Sequence, residues 1–127
     1  VKMYEKFGSL PWEALLQPSI DLAAKGFLLT KREAESLNRN REVFLEVNPD
    51  TPSVVLPEGQ EWQEGDTIYY QDLAKTLERI RDQKREGFYA GETAELLVKE
   101  MQRGKGLITL EDLAQHESKW RDPLVGE

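Results

Sequence analysis

At 127 residues the chain has room for one hydrophobic core and too little for two, and 39% hydrophobic residues with three Trp, four Tyr and four Phe set it apart from disordered compositions. A formal net charge of −7 would repel a phosphate backbone, so nucleic acid is set aside as a partner, and no apolar run approaches the roughly 18 residues of a membrane span. With no Cys there are no disulfides, thiolate metal sites or thiol nucleophiles to consider.

The chain opens on what reads as the end of a helix, with Met3, Tyr4 and Phe7 at helical spacing and Gly8 as its stop. Ser9 and Pro11 start a second helix, on which Trp12, Leu16, Ile20 and Ala23 share one face up to Gly26. Pro18 removes a backbone donor and is expected to kink or divide that helix near Gln17. Thr30 and Glu33 form a capping box that opens a helix through about Asn38. The run "REVFLEV" (Arg41 to Val47) fits either a short helix or a strand and is assigned to helix.

From Asn48 to Tyr70, three Pro and two Gly break every regular period, which predicts one long irregular loop of the kind that carries function or packs on something else. The helical signal returns at Gln71, where Leu73, Leu77 and Ile80 make a stripe that ends in a basic last turn at Lys84 and Arg85. A further helix places Ala94, Leu97, Val98 and Met101 on one face and stops at Gly104. Thr109 with Asp112 opens a last short helix, after which Asp122 to Glu127 reads as a strand beginning. The fold class is therefore all-α, an irregular bundle of five or six helices with one long loop over about 48–70.

Chemistry-bearing residues are sparse. His116 is the only histidine, which leaves no His-pair metal motif, and its place on a polar helix end favours a surface or capping role. "NPDT" (Asn48 to Thr51) lacks the Gly and Glu of a calcium loop. Glu58, Glu61, Glu64 and Asp66 crowd the loop without the contrasting environments that acid–base pairs require. "GKG" (Gly104 to Gly106) is a helix stop, not a phosphate cradle. Trp12, Trp62, Trp120, Phe88 and Tyr89 could line a sugar or peptide site, but anchoring a core is their commoner role. No catalytic, cofactor-binding or metal-binding residue is assigned, and no cofactor is implied.

Three stretches taken in order resemble the gamma-glutamyltranspeptidase family: "EKFGSLPWEALLQPSIDLAAKGF" (Glu5 to Phe27), "EGDTIYYQDLAKTLERIRDQKREGFYAGETAELLVKEM" (Glu64 to Met101) and "GLITLEDLAQHESKWRDPLVG" (Gly106 to Gly126). The chain departs from the family pattern in having no Pro between Gln71 and Asp72 and in placing Lys105 where a second Gly is common. The resemblance implies an N-terminal-nucleophile hydrolase of αββα architecture. In such enzymes a Thr freed by self-cleavage attacks a gamma-glutamyl amide of glutathione or a relative, using its own amine as base, and passes the group to water or an amino acid.

The resemblance further implies that the Thr lies downstream of this segment and that the Arg binding the glutamate carboxylate lies upstream. The expectation is then that residues 1–127 are a single helical subdomain of the large subunit, cut within a helix at Val1 and at the start of a strand near Glu127, and inactive alone. Its partners would be the remaining large-subunit sheet and the small subunit. The family implies a periplasmic or extracellular parent. Apolar surface left uncovered would promote self-association of the isolated chain. The rival reading is a free-standing helical module that binds a protein or peptide through the 48–70 loop.

Overall fold

A computed structural model describes residues 1–47 and 60–126. The "NPDT" run and Glu58 lie outside them. Among the described residues the elements run α1 (Lys2–Phe7), α2 (Trp12–Lys25), β1 (Phe27–Leu28), α3 (Lys31–Arg39), α4 (Arg41–Val47), β2 (Thr67–Ile68), α5 (Gln71–Gln83), α6 (Glu86–Tyr89), α7 (Gly91–Arg103) and α8 (Leu110–Gln115). The architecture is all-α apart from one two-stranded antiparallel pairing. Contacts group the chain into two compact units, one of Val1–Leu16 with Glu78–Glu127, the other of Gln17–Leu77.

The second unit is built around the turn out of α2. Gly26 has φ +80, and a Cβ there would lie 2.8 Å from the Tyr69 ring and 2.9 Å from the Ile68 carbonyl oxygen, so both the backbone angle and the space require glycine. That turn lets Phe27 pair with Ile68 and Leu28 with Thr67. It also brings the chain before α5 to the open end of α2, where the Tyr70 amide donates to the Ala23 carbonyl at 2.9 Å and Gln71 Nε2 to the Ala24 carbonyl at 2.8 Å. Carbonyls that a helix end leaves without intrahelical donors are thereby satisfied. Ile20, Ala23, Leu29, Ala34, Ile68 and Ala74 form the buried core of this unit.

The first unit is joined by polar contacts as much as by apolar ones. Trp12 Nε1 donates to the Ile80 carbonyl at 3.2 Å, and its ring meets Tyr4 at 5.0 Å between centroids. Arg79 Nε donates to Thr93 Oγ1 at 2.8 Å, and that hydroxyl donates to the Gly87 carbonyl at 2.8 Å, which ties α5, α6 and α7 at one point. Gly87, Thr93, Ala94 and Leu113 are its buried residues.

Several expectations change in detail. Pro18 does not divide α2, which runs unbroken from Trp12 to Lys25. Both Pro18 and Ala14, whose carbonyl loses its partner, are exposed, so water can take the missing donor's place. The stretch 48–70 is not irregular throughout, because β2 lies inside it. On α5 it is Ala74 that is buried while Leu73 stays 49% exposed, and Leu77 and Ile80 of the expected stripe are half-buried. Helix α5 ends at Gln83, and Lys84 takes a left-handed φ of 52° just beyond it. Arg85 therefore starts α6 and does not belong to a last turn. Helix α7 stops at Gly104 as expected, and the left-handed residue that follows is Lys105 (φ 56°). Asp122–Gly126 form no strand. "REVFLEV" is helical, as assigned.

Candidate functional site

The best-formed side-chain cluster of the first unit gathers around Arg85. Lys84's left-handed turn throws Arg85 off the end of α5 and back toward α8. Arg85 Nη2 then donates to the carbonyls of Ala114 at 2.9 Å, His116 at 2.8 Å and Leu113 at 3.4 Å, while Nη1 meets Glu86 Oε1 at 2.9 Å. The guanidinium carbon lies 5.1 Å from the Tyr89 ring centroid, and the His116 ring stacks on Tyr89 at 5.0 Å with 13° between planes. His116 is the C-cap of α8, in keeping with a capping residue.

Beside this cluster opens a cleft of about 350 Å³ lined by Lys2, Glu5, Arg85, Tyr89, His116 and Ser118, among others. Its two cationic side chains, Lys2 and Arg85, are both bonded to oxygens of the chain. Lys2 Nζ donates to the Ser118 carbonyl at 2.5 Å, Arg85 is spent on four oxygens, and the His116 ring is covered on one face by Tyr89. Ser118 and His116 share the cleft, but the contact Ser118 makes is through its carbonyl. Among the described residues no group of three His, Asp or Glu side chains is placed to hold a metal ion.

The shifted carboxylates point the same way. Glu33 is held below its ordinary value by the Thr30 hydroxyl and then by the Thr30 amide, and Asp112 by the same two groups of Thr109. Asp21 is lowered chiefly by the Gln17 amide, Asp82 by Arg81 and Glu100 by Arg103. Each shift favours the charged form through a hydrogen bond within four residues in sequence, which suits caps and surface pairs. A general acid would need its value raised instead.

The expected aromatic set is not brought together as one platform. Trp12 pairs with Tyr4, Phe88 with Tyr89, and Trp120 sits edge-on to Phe7 at 5.9 Å under the Lys6 ammonium at 4.5 Å. None of the three Trp is fully buried, and Trp120 is 54% exposed, so the core-anchor role passes to Ile, Leu and Ala. Trp62 is held through its backbone, its amide accepted by Asn38 Oδ1 and its carbonyl bonded by Asn38 Nδ2, both at 2.9 Å. Of the acidic loop residues, Glu61 and Glu64 are exposed and Asp66 Oδ2 accepts from the Gln63 amide at 2.8 Å, closing a turn. Sequence reasoning did not anticipate the Arg85 cluster, for which no short-range pattern exists.

These observations define a helix-rich protein whose polar side chains mostly close its own helix ends and joints. Comparison with known proteins places it further. The gamma-glutamyltranspeptidase sequence profile matches residues 1–127, and the chain belongs to that family. A glutathione hydrolase proenzyme of Pseudomonas aeruginosa is 38% identical over 95% of this chain and 21% of its own length. The crystal structure of Helicobacter pylori gamma-glutamyltranspeptidase superposes with a TM-score of 0.85 and 40% identity over 99% of this chain and 36% of that one. A cephalosporin acylase from Bacillus halodurans gives a TM-score of 0.79 at 27% identity, over 97% of this chain and 24% of that one. The chain thus spans about a fifth of the length of the curated relative it matches.

Proposed function

We propose that residues 1–127 are a helical scaffold portion of a gamma-glutamyltranspeptidase-type enzyme and hold none of its reacting groups. The intact protein would transfer the gamma-glutamyl group of glutathione or a related amide to water or an amino acid, through an N-terminal Thr supplied by polypeptide other than this. The remaining large-subunit sheet and the small subunit would be its partners, and the periplasm or cell exterior its compartment.

The observation that carries this reading is the breadth of the match set against its shortness. A similar fold recurs in a structure named Helicobacter pylori gamma-glutamyltranspeptidase and in one named a cephalosporin acylase, as 36% and 24% of those chains. A segment common to catalysts named for different substrates is poorly suited to be what distinguishes those substrates. The side chains support the same view, since the polar clusters described above terminate helices. They do not converge on a point where a reacting atom could sit.

The test is turnover of a gamma-glutamyl anilide. The purified 127-residue chain should release no aniline, while a longer protein carrying this segment together with a self-processed Thr should. Release by the chain alone would overturn the scaffold reading. A processed longer protein that handles no gamma-glutamyl compound would overturn the assignment of activity.

A further inference from the structure

Beyond α8 the chain has no backbone ladder to direct it, since residues 116–126 form neither helix nor strand. Side chains do that work. The last carbonyls of a helix lack intrahelical donors; here Arg85 Nη2 reaches those of Ala114 and His116, and at 3.4 Å that of Leu113, which also accepts from the His116 amide. Tyr89 provides a flat surface that meets the guanidinium at 5.1 Å and the His116 ring at 5.0 Å. Past His116, Lys2 of α1 holds the Ser118 carbonyl, and Lys6 and Phe7 of the same helix hold the Trp120 ring.

We propose that Arg85 is the latch of a conformational device, fixing His116 on Tyr89 so that residues 117–121 leave α8 along α1 in one course. A guanidinium suits this task because one nitrogen can serve the carbonyls and another the Glu86 carboxylate while its carbon lies over an aromatic ring. A Lys ammonium offers only a point of charge on a flexible stem. For the longer protein, a consequence that rests on the scaffold reading above, the latch would set the direction in which the polypeptide passes to the next element. Arg85 acts here through His116 and is a positioning residue.

The experiment uses the 127-residue chain itself, with Arg85→Ala, Arg85→Lys and Thr109→Ala. In the parent chain the Tyr89 ring current should displace the His116 ring protons upfield in the proton NMR spectrum. Arg85→Ala should abolish that displacement and speed tryptic cleavage at Lys119 and Arg121 by on the order of tenfold, the effect of losing charge-assisted bonds on the population of the open form. Arg85→Lys should restore neither. Thr109→Ala weakens α8 from its other end and should leave the His116 displacement in place. The proposal is overturned if Arg85→Ala keeps the displacement and the parent cleavage rate. It is equally overturned if Thr109→Ala frees the segment as fully, because helix stability would then explain everything. Neither outcome bears on anilide turnover, so the scaffold reading stands or falls separately.

Discussion

Replacing Gly87 with Ala tests the joint between α5 and α6 most directly. The backbone at Gly87 is ordinary helix, so conformational freedom is not the issue; the space is. A Cβ built there would lie 2.7 Å from the Ile80 amide nitrogen and closer still to the Arg79 carbonyl, where ordinary contacts run from 3.4 to 4 Å. The backbones of α5 and α6 would have to separate by roughly 1 Å, since neither can swing aside as a side chain would. That shift also stretches the chain of hydrogen bonds from Arg79 through Thr93 to the Gly87 carbonyl. Overpacking of this kind costs about 3 kcal/mol, at the upper end of what inserted methyl groups do in cores.

For a chain of this length such a loss corresponds to a fall in Tm of roughly 12 °C and a fall in urea midpoint of about 1.5 M. Far-UV circular dichroism followed through heat and urea would read both. Gly104→Ala is the internal control, because the nearest atom to its Cβ would be the Glu100 carbonyl oxygen at 3.5 Å and its φ is −86°. It should be neutral or slightly stabilising, by about 0.5 kcal/mol. If Gly87→Ala melts with the parent chain, the close backbone approach is wrong and the role given to the Arg79–Thr93–Gly87 relay goes with it.

Lys105→Gly should raise stability by about 0.5–1 kcal/mol in urea titrations, because Lys105 holds a left-handed φ of 56° while its amide and that of Gly106 close the end of α7 on Gln102 and Met101. Asn38→Leu should cost about 2 kcal/mol, since it removes the two hydrogen bonds that Asn38 makes to the Trp62 backbone; an unchanged urea midpoint would show that water replaces the side chain fully. Stability should fall as pH drops below about 4. Glu33 and Asp112 have folded values depressed by their capping bonds, so their contribution is present above the unfolded values and lost as pH falls through the folded ones. Thr109→Ala, which removes one cap and costs about 1 kcal/mol near neutral pH, should flatten that acid dependence in urea midpoints measured from pH 7 to pH 3.

What could be read from the residues and what could not divide by the distance over which the chemistry acts. The capping boxes of Thr30 with Glu33 and Thr109 with Asp112 were legible because donor and acceptor sit three residues apart and need no tertiary fold to meet. The face carrying Ile20 and Ala23 was legible because burial follows helical period. That Pro18 would leave its helix undivided was not legible, since tolerance of a missing donor depends on whether the orphaned carbonyl faces water, and that is decided by the rest of the unit. The same holds for Leu73: its neighbour Ala74 is the small residue that lets α5 approach, and only the packing decides between adjacent positions on a helix.

The pairing of β1 with β2 joins residues some forty positions apart through two-residue strands too short to leave any period, so no local pattern could announce it. Arg85 was hidden for a further reason. In sequence it follows Lys84 at the end of a helical run, where a basic residue is already explained by the macrodipole. Its actual acceptors are the carbonyls of a different helix, and it reaches them because the residue before it turns left-handed, a conformation that a lysine adopts only when the surroundings compel it. The polar contacts that join the start of α6 to the end of α8 are thus made by a side chain whose ordinary local explanation conceals them, and whose reach depends on a backbone angle that composition argues against.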